Sequence, residues 1–292
     1  MFLECEPMSY VIITDSCCDL TEQQLQQWNV QCVPLTVLYN GENHDNFSDA
    51  AAVKAFYDVL RTGVTATTAA VNPEGWASRM EPALKNGQDV LILAFSSGLS
   101  TTCQSALIAA KELREVYPQR TIHVVDTLCA ALGQGLLVWH ACQKRDAGMD
   151  IDTLYRWVED HKKNICHWVT VDDLTHLKRG GRISATTALV GTMLNIKPII
   201  HVDNDGHLIN ISKVRGRKAA MELLSSKMGE TCTDFDTAFI AHGDCPEDAA
   251  ALEALIREKH GVKNVLTGYV GPVIGAHTGP GVLVVFFMGT HR

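Results

Sequence analysis

The sequence lacks the short patterns by which several large classes of enzyme are recognised. Its 292 residues contain no Gly-Lys dipeptide, which argues against the phosphate-binding loop of P-loop nucleotide enzymes. Gly133-x-Gly135 has no third glycine at the dinucleotide-binding spacing. No G-x-S-x-G segment is present to form the nucleophile elbow of an α/β-hydrolase. The common templates for nucleotide, dinucleotide and esterase enzymes therefore do not fit.

Patterns for metal binding or disulfide bonding are missing as well. The ten cysteines include no C-x-x-C pair, and the twelve histidines include no H-E-x-x-H segment. We therefore expect reduced, buried thiols, as in a cytoplasmic protein, and no metal site.

Charge and hydropathy exclude two further classes of protein. The net charge of −8 argues against nucleic-acid binding, which usually needs a basic surface. The longest apolar runs, residues 90–95 and 282–288, fall well short of the roughly 18–20 residues of a membrane span. The N-terminus carries Glu4 and Glu6 and no basic start, so we expect no signal peptide and a cytoplasmic location.

What the chain does contain is a repeated alternation of apolar, β-branched runs with helical patterns. In the first half this alternation predicts a mainly parallel sheet covered by helices. In the second half, Asp205-Gly206 between two apolar runs predicts a hairpin, and hence a second α/β unit with a mixed sheet. We place the domain boundary so that residues 1–155 form one domain and residues 156–292 the other.

Strands are predicted at residues 11–14, 33–38, 90–95, 121–126, 199–202, 207–211, 238–242, 265–270 and 282–287. Helices are predicted at residues 21–28, 51–60, 104–116, 135–144, 151–164, 186–195, 218–228 and 246–259.

Three polar segments are candidates for a binding site. Ser96-Ser97-Gly98-Leu99-Ser100 follows the buried strand at residues 90–95, where ligands of open parallel sheets bind. Its hydroxyls and backbone N–H groups suit an anion, although Ser100 as a helix N-cap explains the segment equally well. The second candidate is Gly275 to Gly281, where glycines and a proline surround His277. That ring could donate to a carboxylate or carry a proton, or be a turn histidine without a role.

The third candidate is the basic turn Leu177 to Ile183, in which Gly180 and Gly181 separate two arginines. It lies in a stretch, residues 162–218, that has ten Lys or Arg against four Asp or Glu and so carries +6, which leaves −14 for the rest. Such asymmetry suits docking to an acidic partner or a phosphate, whereas the plainer explanation is a solvated basic loop.

Taken in order, these segments resemble the DegV family over nearly the whole chain. The segments that carry the resemblance are Thr14-Asp15-Ser16 with Asp19-Leu20, Pro34-Leu35, Thr67-Thr68 leading to Asn72-Pro73, Ser96 to Ser100 with Gln104-Ser105-Ala106, Val125-Asp126, Leu177 to Ile183, Lys197-Pro198, Lys213-Val214-Arg215-Gly216, and His277-Thr278-Gly279-Pro280-Gly281.

The resemblance implies two α/β domains with a long-chain fatty acid, such as palmitate, stearate or oleate, in an apolar tunnel between them. In the family the carboxylate meets a threonine, a serine and a histidine, which correspond here to Thr68, Ser97 and His277. The backbone N–H of Gly98 would contribute, and Arg179 or Arg182 would lie close. Thr67 stays an alternative to Thr68 because the family's T-S-Q-P reads Thr68-Ala69-Ala70-Val71 here. Residues 63–78 would be the segment that crosses between domains.

The resemblance also implies a role within a fatty acid kinase system and phospholipid metabolism. The chain would be a carrier without catalytic residues or a cofactor, and would present its fatty acid to a separate ATP-dependent kinase that makes the acyl phosphate. We expect Lys213, Arg215 and Arg217 to dock that kinase, with transient membrane-surface contact and no nucleic-acid partner. Two alternatives stay open: a serine hydrolase or acyltransferase using Ser97 and His277, and a regulatory docking module.

Overall fold

The structure, a computed structural model, describes residues 10–45, 49–172, 174–183 and 195–292. Its strands are β1 Tyr10–Asp15, β2 Val30–Val33, β3 Thr36–Tyr39, β4 Glu42–His44, β5 Thr67–Ala69, β6 Asp89–Ala94, β7 Ile122–Asp126, β8 Ile165–Thr170, β9 Ile196–Val202, β10 Leu208–Arg215, β11 Thr237–His242, β12 Asn264–Tyr269 and β13 Leu283–Met288. Its helices are α1 Glu22–Gln27, α2 Ala50–Arg61, α3 Pro73–Lys85, α4 Thr102–Val116, α5 Ala131–Asp146, α6 Ile151–His161, α7 Thr175–Arg179, α8 Arg217–Thr231, α9 Pro246–His260 and α10 Pro272–Thr278.

Two large sheets form the framework. The first has the order β2-β1-β6-β7, and all of its strand pairs are parallel. The second has the order β10-β9-β8-β13-β11-β12, in which only the pair β11 and β12 is parallel. The prediction of a parallel sheet followed by a mixed sheet is confirmed, as is the hairpin at Asp205-Gly206, which joins β9 to β10.

The predicted strand at residues 33–38 is wrong. The chain leaves the parallel sheet at Val33, at the end of β2, and β3 begins at Thr36 in a different sheet. Pro34 has no N–H to donate to a ladder, and the N–H of Leu35 donates to Ser16 Oγ at 2.9 Å instead. β3 then pairs antiparallel with β4 and β5 to make a third, three-stranded sheet.

Other elements were not predicted, or lie where the structure gives no description. β4, β5 and β8 and the helices α3, α7 and α10 have no counterpart in the sequence prediction. The predicted helix at residues 186–195 lies outside the described residues except for Asn195, which stands in a turn.

The helices separate the two large sheets and cover their outer faces. α5, with α6 beside it, lies between the sheets: α5 packs on β8, β11 and β13, and α6 packs on β6 and β7. Gln134 of α5 also donates to Thr14 Oγ1 of β1 and to Leu93 O of β6. Residues on most sides of α5 are buried, as expected for a helix enclosed by two sheets. α3 and α4 cover the outer face of the parallel sheet, and α8 and α9 that of the mixed sheet.

The change from one sheet to the other follows α6. This helix runs unbroken from Ile151 to His161, through the position at which we placed the boundary, and the mixed sheet starts with β8 at Ile165. Within residues 63–78, β5 pairs with β3 and also contacts α10, which belongs to the second half of the chain. The two halves therefore meet at β5 and α10 as well as along α5.

Candidate functional site

A cavity of about 450 Å³ lies between the two halves, which is within the usual range for small-molecule sites. Its walls come from β8, β9, β10 and β13 of the mixed sheet, from the loops at the carboxyl ends of β6 and β7, and from α7 and α10. The apolar lining residues are Leu35, Ala70, Phe95, Leu99, Ala130, Ala131, Val169, Leu177, Ile200, Val202, Leu208, Val270, Val273, Ile274, Val282, Val284 and Phe286. The polar lining residues are Thr68, Ser97, Ser100, Thr101, His167, Arg182, His277 and Thr278.

Thr68 and His277 form a direct link across the cavity wall. Thr68 Oγ1 lies 2.8 Å from His277 Nε2 and joins β5 to α10. Thr67 is exposed, pairs with Leu38 in β3, and is not one of the described lining residues. Of the two threonines that the sequence left open, the structure therefore brings Thr68 to the cavity and leaves Thr67 outside.

His277 is neutral at physiological pH. Burial lowers its pKa from the ordinary 6.5 to about 4, and the charges of Arg182 and Arg179 lower it further in the same direction. Its Nδ1 is buried and has no hydrogen-bond partner within the described part of the chain. The ring therefore has one polar contact, to Thr68, and a second nitrogen without one.

The two glycine-rich segments that the sequence singled out separately pack against each other. A Cβ at Gly180, in the basic turn, would lie 2.2 Å from His277 Nδ1. A Cβ at Gly279, beyond α10, would lie 2.5 Å from a ring carbon of His176 in α7. Each glycine thus makes room for a histidine of the opposite segment, which explains why α7 and α10 lie in contact.

Arg182 is the arginine of the basic turn that reaches the cavity. Its Nε donates to Leu99 O at 3.1 Å and its Nη1 to Gly180 O at 2.6 Å, so the guanidinium joins the basic turn to the loop after β6. Among the described lining residues it is the only Lys or Arg. Arg179 is exposed, with its Nη2 3.0 Å from His176 Nδ1, and lies outside the described lining.

The N–H of Gly98 has a hydrogen-bond partner within its own turn. It donates to Ser96 Oγ at 3.2 Å, and its expected contact with a carboxylate stays a prediction. A Cβ at Gly98 would lie 2.8 Å from backbone atoms of Asp205 and Gly206. This glycine therefore allows the β9–β10 hairpin to dock on the loop after β6, which is a packing role.

Ser97 lines the cavity, and its backbone N–H is hydrogen-bonded to the Asp126 side chain. Its N–H donates to Asp126 Oδ1 at 3.1 Å, and the same oxygen accepts from Leu128 N at 3.2 Å. Asp126, the last residue of β7 and of the strand predicted there, thus fixes the turn, and Ser97 is exposed.

The Asp15 carboxylate links the ends of two strands at the start of this loop. It accepts from Phe95 N at 2.7 Å and from Cys17 N at 3.0 Å, so it ties the end of β1 to the end of β6. Complete burial raises its pKa to about 6 despite these hydrogen bonds.

His167 is a lining residue that the sequence did not indicate. It lies in β8, which was not predicted, and its ring is almost completely buried. Ala130 N donates to its Nε2 at 3.2 Å, and its Nδ1 lies 3.0 Å from Ile165 O. Burial lowers the pKa of this imidazole well below 6.5. No sequence signal marks such a residue, because its role depends on a strand and a helix far apart in the chain.

The three cations expected to dock a partner are separated by the fold. Lys213 and Arg215 are exposed on β10, the edge strand of the mixed sheet. Arg217 is half-buried, and its Nε donates to Asp248 Oδ2 at 2.8 Å while its Nη2 lies 3.3 Å from Cys245 Sγ. The guanidinium of Arg217 thus ties α8 to α9, and the docking role of these three cations stays a prediction.

Metal-binding groups and membrane-spanning helices are both absent from the ranges that the structure describes. No group of three or more His, Cys, Asp or Glu side chains is arranged there to hold a metal ion. No helix there has both the length and the apolar character to span a bilayer.

The fold and the cavity together define an α/β protein with a parallel and a mixed sheet and a largely apolar cavity whose lining includes several polar side chains. The chain belongs to the DegV family: the family model described as "Uncharacterised protein, DegV family" matches residues 9–290. A DegV domain-containing protein of Clostridium perfringens is 45% identical over 283 residues, which cover 96% of this chain and 97% of that protein.

Solved structures of the family share the whole fold. A Thermus thermophilus structure described as "Fatty Acid Binding of a DegV family Protein" is 30% identical, has a TM-score of 0.86, and aligns over 97% of this chain and 100% of its own. A DegV lipid binding protein from Thermotoga maritima is 26% identical with a TM-score of 0.86, over 98% of this chain and 100% of its own.

Proposed function

We propose that this protein binds one long-chain fatty acid, with the acyl chain in the cavity between the two sheets and the carboxylate at Thr68, Ser97, Arg182 and His277. The observation that carries the proposal is the division of the cavity wall. Most of it is apolar, whereas these four polar side chains, drawn from four separate segments of the chain, all belong to its lining, and Thr68 and His277 are in direct contact. The Thermus thermophilus relative, described by its fatty acid binding, supports the same ligand class.

The apolar part of the wall accounts for the affinity. Burying a methylene group contributes about 0.8 kcal/mol, so the fifteen or so groups of a C16 chain give roughly 12 kcal/mol before the costs of ordering. A carboxylate cannot follow the chain into such surroundings without partners, because desolvating a charge is expensive. The ligand must therefore be an amphiphile with its charged end at the polar side chains.

The charge of the carboxylate is balanced by Arg182. His277 is neutral, and Thr68 and Ser97 carry no charge, so the Arg182 guanidinium is the one cation among the described lining residues. Two of its N–H groups already donate to Leu99 O and Gly180 O, which holds it in place before a ligand arrives. A cation fixed in this way loses little entropy when it pairs with an anion.

The hydroxyl groups supply the hydrogen bonds. In one tautomer His277 Nε2–H donates to Thr68 Oγ1, and the hydroxyl hydrogen of Thr68 is then free to turn toward the cavity. The exposed Ser97 hydroxyl can turn the same way, since its backbone is held by Asp126. In this tautomer Nδ1 carries no hydrogen and so needs no acceptor, which agrees with its lack of a partner among the described residues.

We propose further that the protein is a carrier and not itself an enzyme. It would present the fatty acid to a separate ATP-dependent kinase in the cytoplasm for acyl-phosphate formation. Lys213 and Arg215 would attract an acidic partner, because both are exposed on an edge strand.

The geometry around His277 does not favour a serine hydrolase. Such an enzyme would need His277 to accept the proton of Ser97, but Nε2 is hydrogen-bonded to Thr68, and no described residue orients Nδ1.

The test of lipid binding is denaturing mass spectrometry on an organic extract of the purified protein, followed by titration of the delipidated protein with palmitate and oleate. We expect about one fatty acid per chain in the extract and saturable uptake of both acids. An extract without fatty acid, together with no uptake of either acid, would contradict the proposal.

The carrier role is tested by adding ATP and a fatty acid kinase catalytic subunit and trapping acyl phosphate with hydroxylamine. No acyl hydroxamate from the loaded protein would argue against it.

A further inference from the structure

The cavity follows the strands of the mixed sheet and ends at one pair of side chains. Val282, Val284 and Phe286 line it at alternate positions, so they share one face of β13 and its entrance. In the neighbouring strand, Val169 is opposite Val284 and His167 is opposite Phe286. The next pair on this face, Ile165 and Met288, does not contribute to the described lining. The cavity therefore stops at the level of His167 and Phe286.

His167 is held so that it cannot move out of the way. Its two ring nitrogens contact Ala130 N at 3.2 Å and Ile165 O at 3.0 Å, so both are satisfied by backbone. A Cβ at Gly133 would lie only 2.2 Å from Nε2, which shows that α5 packs directly against the ring. The Phe286 ring lies edge-on to it, with 5.3 Å between centroids and an interplanar angle of 84°.

The space behind His167 is closed by polar groups. Arg292 donates to Ile165 O at 3.1 Å, to Lys162 O at 2.8 Å and to Asp203 O at 2.8 Å. Ile165 O thus has contacts with both the imidazole and the guanidinium. A terminal methyl group pushed past His167 would have to separate these hydrogen-bonded groups, which is unfavourable in a buried site.

We infer that His167 and Phe286 form the end wall of the acyl cavity and set the longest fatty acid that the protein accepts. The inference rests on the proposed function, since it assumes that an acyl chain occupies this cavity. In the end wall His167 acts only through its shape, because neither of its nitrogens is available to a ligand.

The dimensions give an expected length. From Val282 to Phe286 the strand advances by about 14 Å at about 3.4 Å per residue. An extended acyl chain advances by about 1.25 Å per carbon, because its bonds of about 1.5 Å zigzag, so this stretch holds roughly eleven carbons. The carboxyl end and the first few carbons lie nearer to His277, which gives an acid of roughly 14 to 18 carbons in all.

The experiment compares the lengths of the bound acids. Delipidated wild-type and variant proteins are incubated with an equimolar mixture of saturated acids from C12 to C22, and the bound acids are identified by mass spectrometry. His167→Ala removes roughly 3 Å of side chain, so the upper limit should move up by roughly two or three carbons. His167→Phe keeps a ring of similar shape but lacks both nitrogens, and it should keep the wild-type limit. His201→Ala is the matched control, because His201 stacks on Trp168 and is not one of the described lining residues.

Phe286→Leu provides a second measurement, because it shortens the same wall without touching the hydrogen bonds of His167. It should raise the limit by one or two carbons, even if His167→Ala proves too unstable to purify. An unchanged length distribution in folded Phe286→Leu or His167→Ala protein that still binds fatty acid would overturn the inference and leave the proposed function intact. Failure of the wild-type protein to bind any acid would instead count against the proposed function.

Discussion

Two histidines line the same cavity and are held in opposite ways. His167, in β8, has both ring nitrogens in contact with backbone groups and a helix packed against its edge. His277, in α10, has one nitrogen on the Thr68 hydroxyl and a second without a partner in the described structure. Both are buried strongly enough to be neutral at pH 7. The His167 ring, in the inferred end wall, is therefore held by backbone groups, whereas the His277 ring is held by the side chain of Thr68.

This difference shows where the cavity can adapt to a ligand. A ring whose hydrogen bonds all go to backbone has nothing to exchange with an incoming molecule, and it contributes only its shape. A hydroxyl and an imidazole that satisfy each other can rotate or change donor when a carboxylate arrives. We therefore expect changes near His277 to alter affinity, and changes near His167 to alter stability and ligand size.

The largest effect expected is the loss of affinity in Thr68→Val. This change removes the hydroxyl that would bond the carboxylate and keeps a similar shape. A hydrogen bond to a charged group contributes about 1.5–3 kcal/mol, so Kd should rise about 10- to 150-fold. Titration of delipidated protein with palmitate measures it. Thr67→Val is the matched control, because its exposed side chain should leave Kd unchanged; a larger loss there than in Thr68→Val would move the anchor to Thr67.

The second prediction concerns acid sensitivity at His277. Its pKa is about 4 in the folded chain and near 6.5 when unfolded, so the unfolded chain binds more protons between these values. The stability contributed by the neutral ring is complete above pH 6.5 and is lost as the pH falls through 4. At pH 5 the loss relative to pH 7 is at most about 2 kcal/mol.

The measurement is urea denaturation of wild type and His277→Gln at pH 7 and pH 5. The variant should lose less stability than wild type over this interval, by up to about 2 kcal/mol. The comparison between the two pH values cancels any constant cost of the substitution. Equal losses in the two proteins would mean that His277 is not held neutral by the fold.

These two predictions rest on contacts that the sequence could supply only in part. The parallel sheet was predictable because its central strands are continuous apolar runs, which are typical of strands buried on both faces. β5 is a three-residue strand of Thr-Thr-Ala, so no periodicity marks it, and only the family resemblance drew attention to Thr68. The pairing of Thr68 with His277 spans 209 positions and depends on the packing of the two halves.

The sequence shows residue type without partners. Arg217 resembles Lys213 and Arg215 in a count of charges, yet of the three only Arg217 has an ion pair among the described residues, with Asp248 from α9. Gly98 is predicted to lie in an anion-binding turn, and the sequence does not show that a hairpin docks against it. His167 carried no signal at all.

The third prediction compares the glycines that face the two histidines. Gly133→Ala should push against His167, which has no room to yield, at a cost of about 1–3 kcal/mol from overpacking. The gain in helix propensity offsets about 1 kcal/mol of this, so the net loss of unfolding free energy should be about 1 kcal/mol. Gly180→Ala should instead displace His277 from Thr68 and raise Kd for palmitate several-fold, with a smaller loss of stability.

Thermal and urea denaturation, together with palmitate titration, measure both variants. Gly268→Ala is a milder control, because its added Cβ would lie 3.3 Å from a flexible end of Leu132. If Gly180→Ala costs more stability than Gly133→Ala and leaves Kd unchanged, the contrast between a fixed end and an adaptable part of the cavity fails.

The smallest effect on the folded protein is expected on β10, away from both histidines. Replacing Lys213 and Arg215 together by Ser removes two exposed charges for which we expect no structural role, so the free energy of unfolding should change by less than about 0.5 kcal/mol. Palmitate affinity and the length limit should both stay at wild-type values, while acyl-phosphate formation with the kinase should fall and become less sensitive to salt. Arg217→Met is the contrasting variant: it should lower stability, because it removes the contacts with Asp248 and Cys245. If the double Ser variant loses lipid together with kinase coupling, then β10 supports the cavity itself, and the two ends of the cavity do not act alone in holding the ligand.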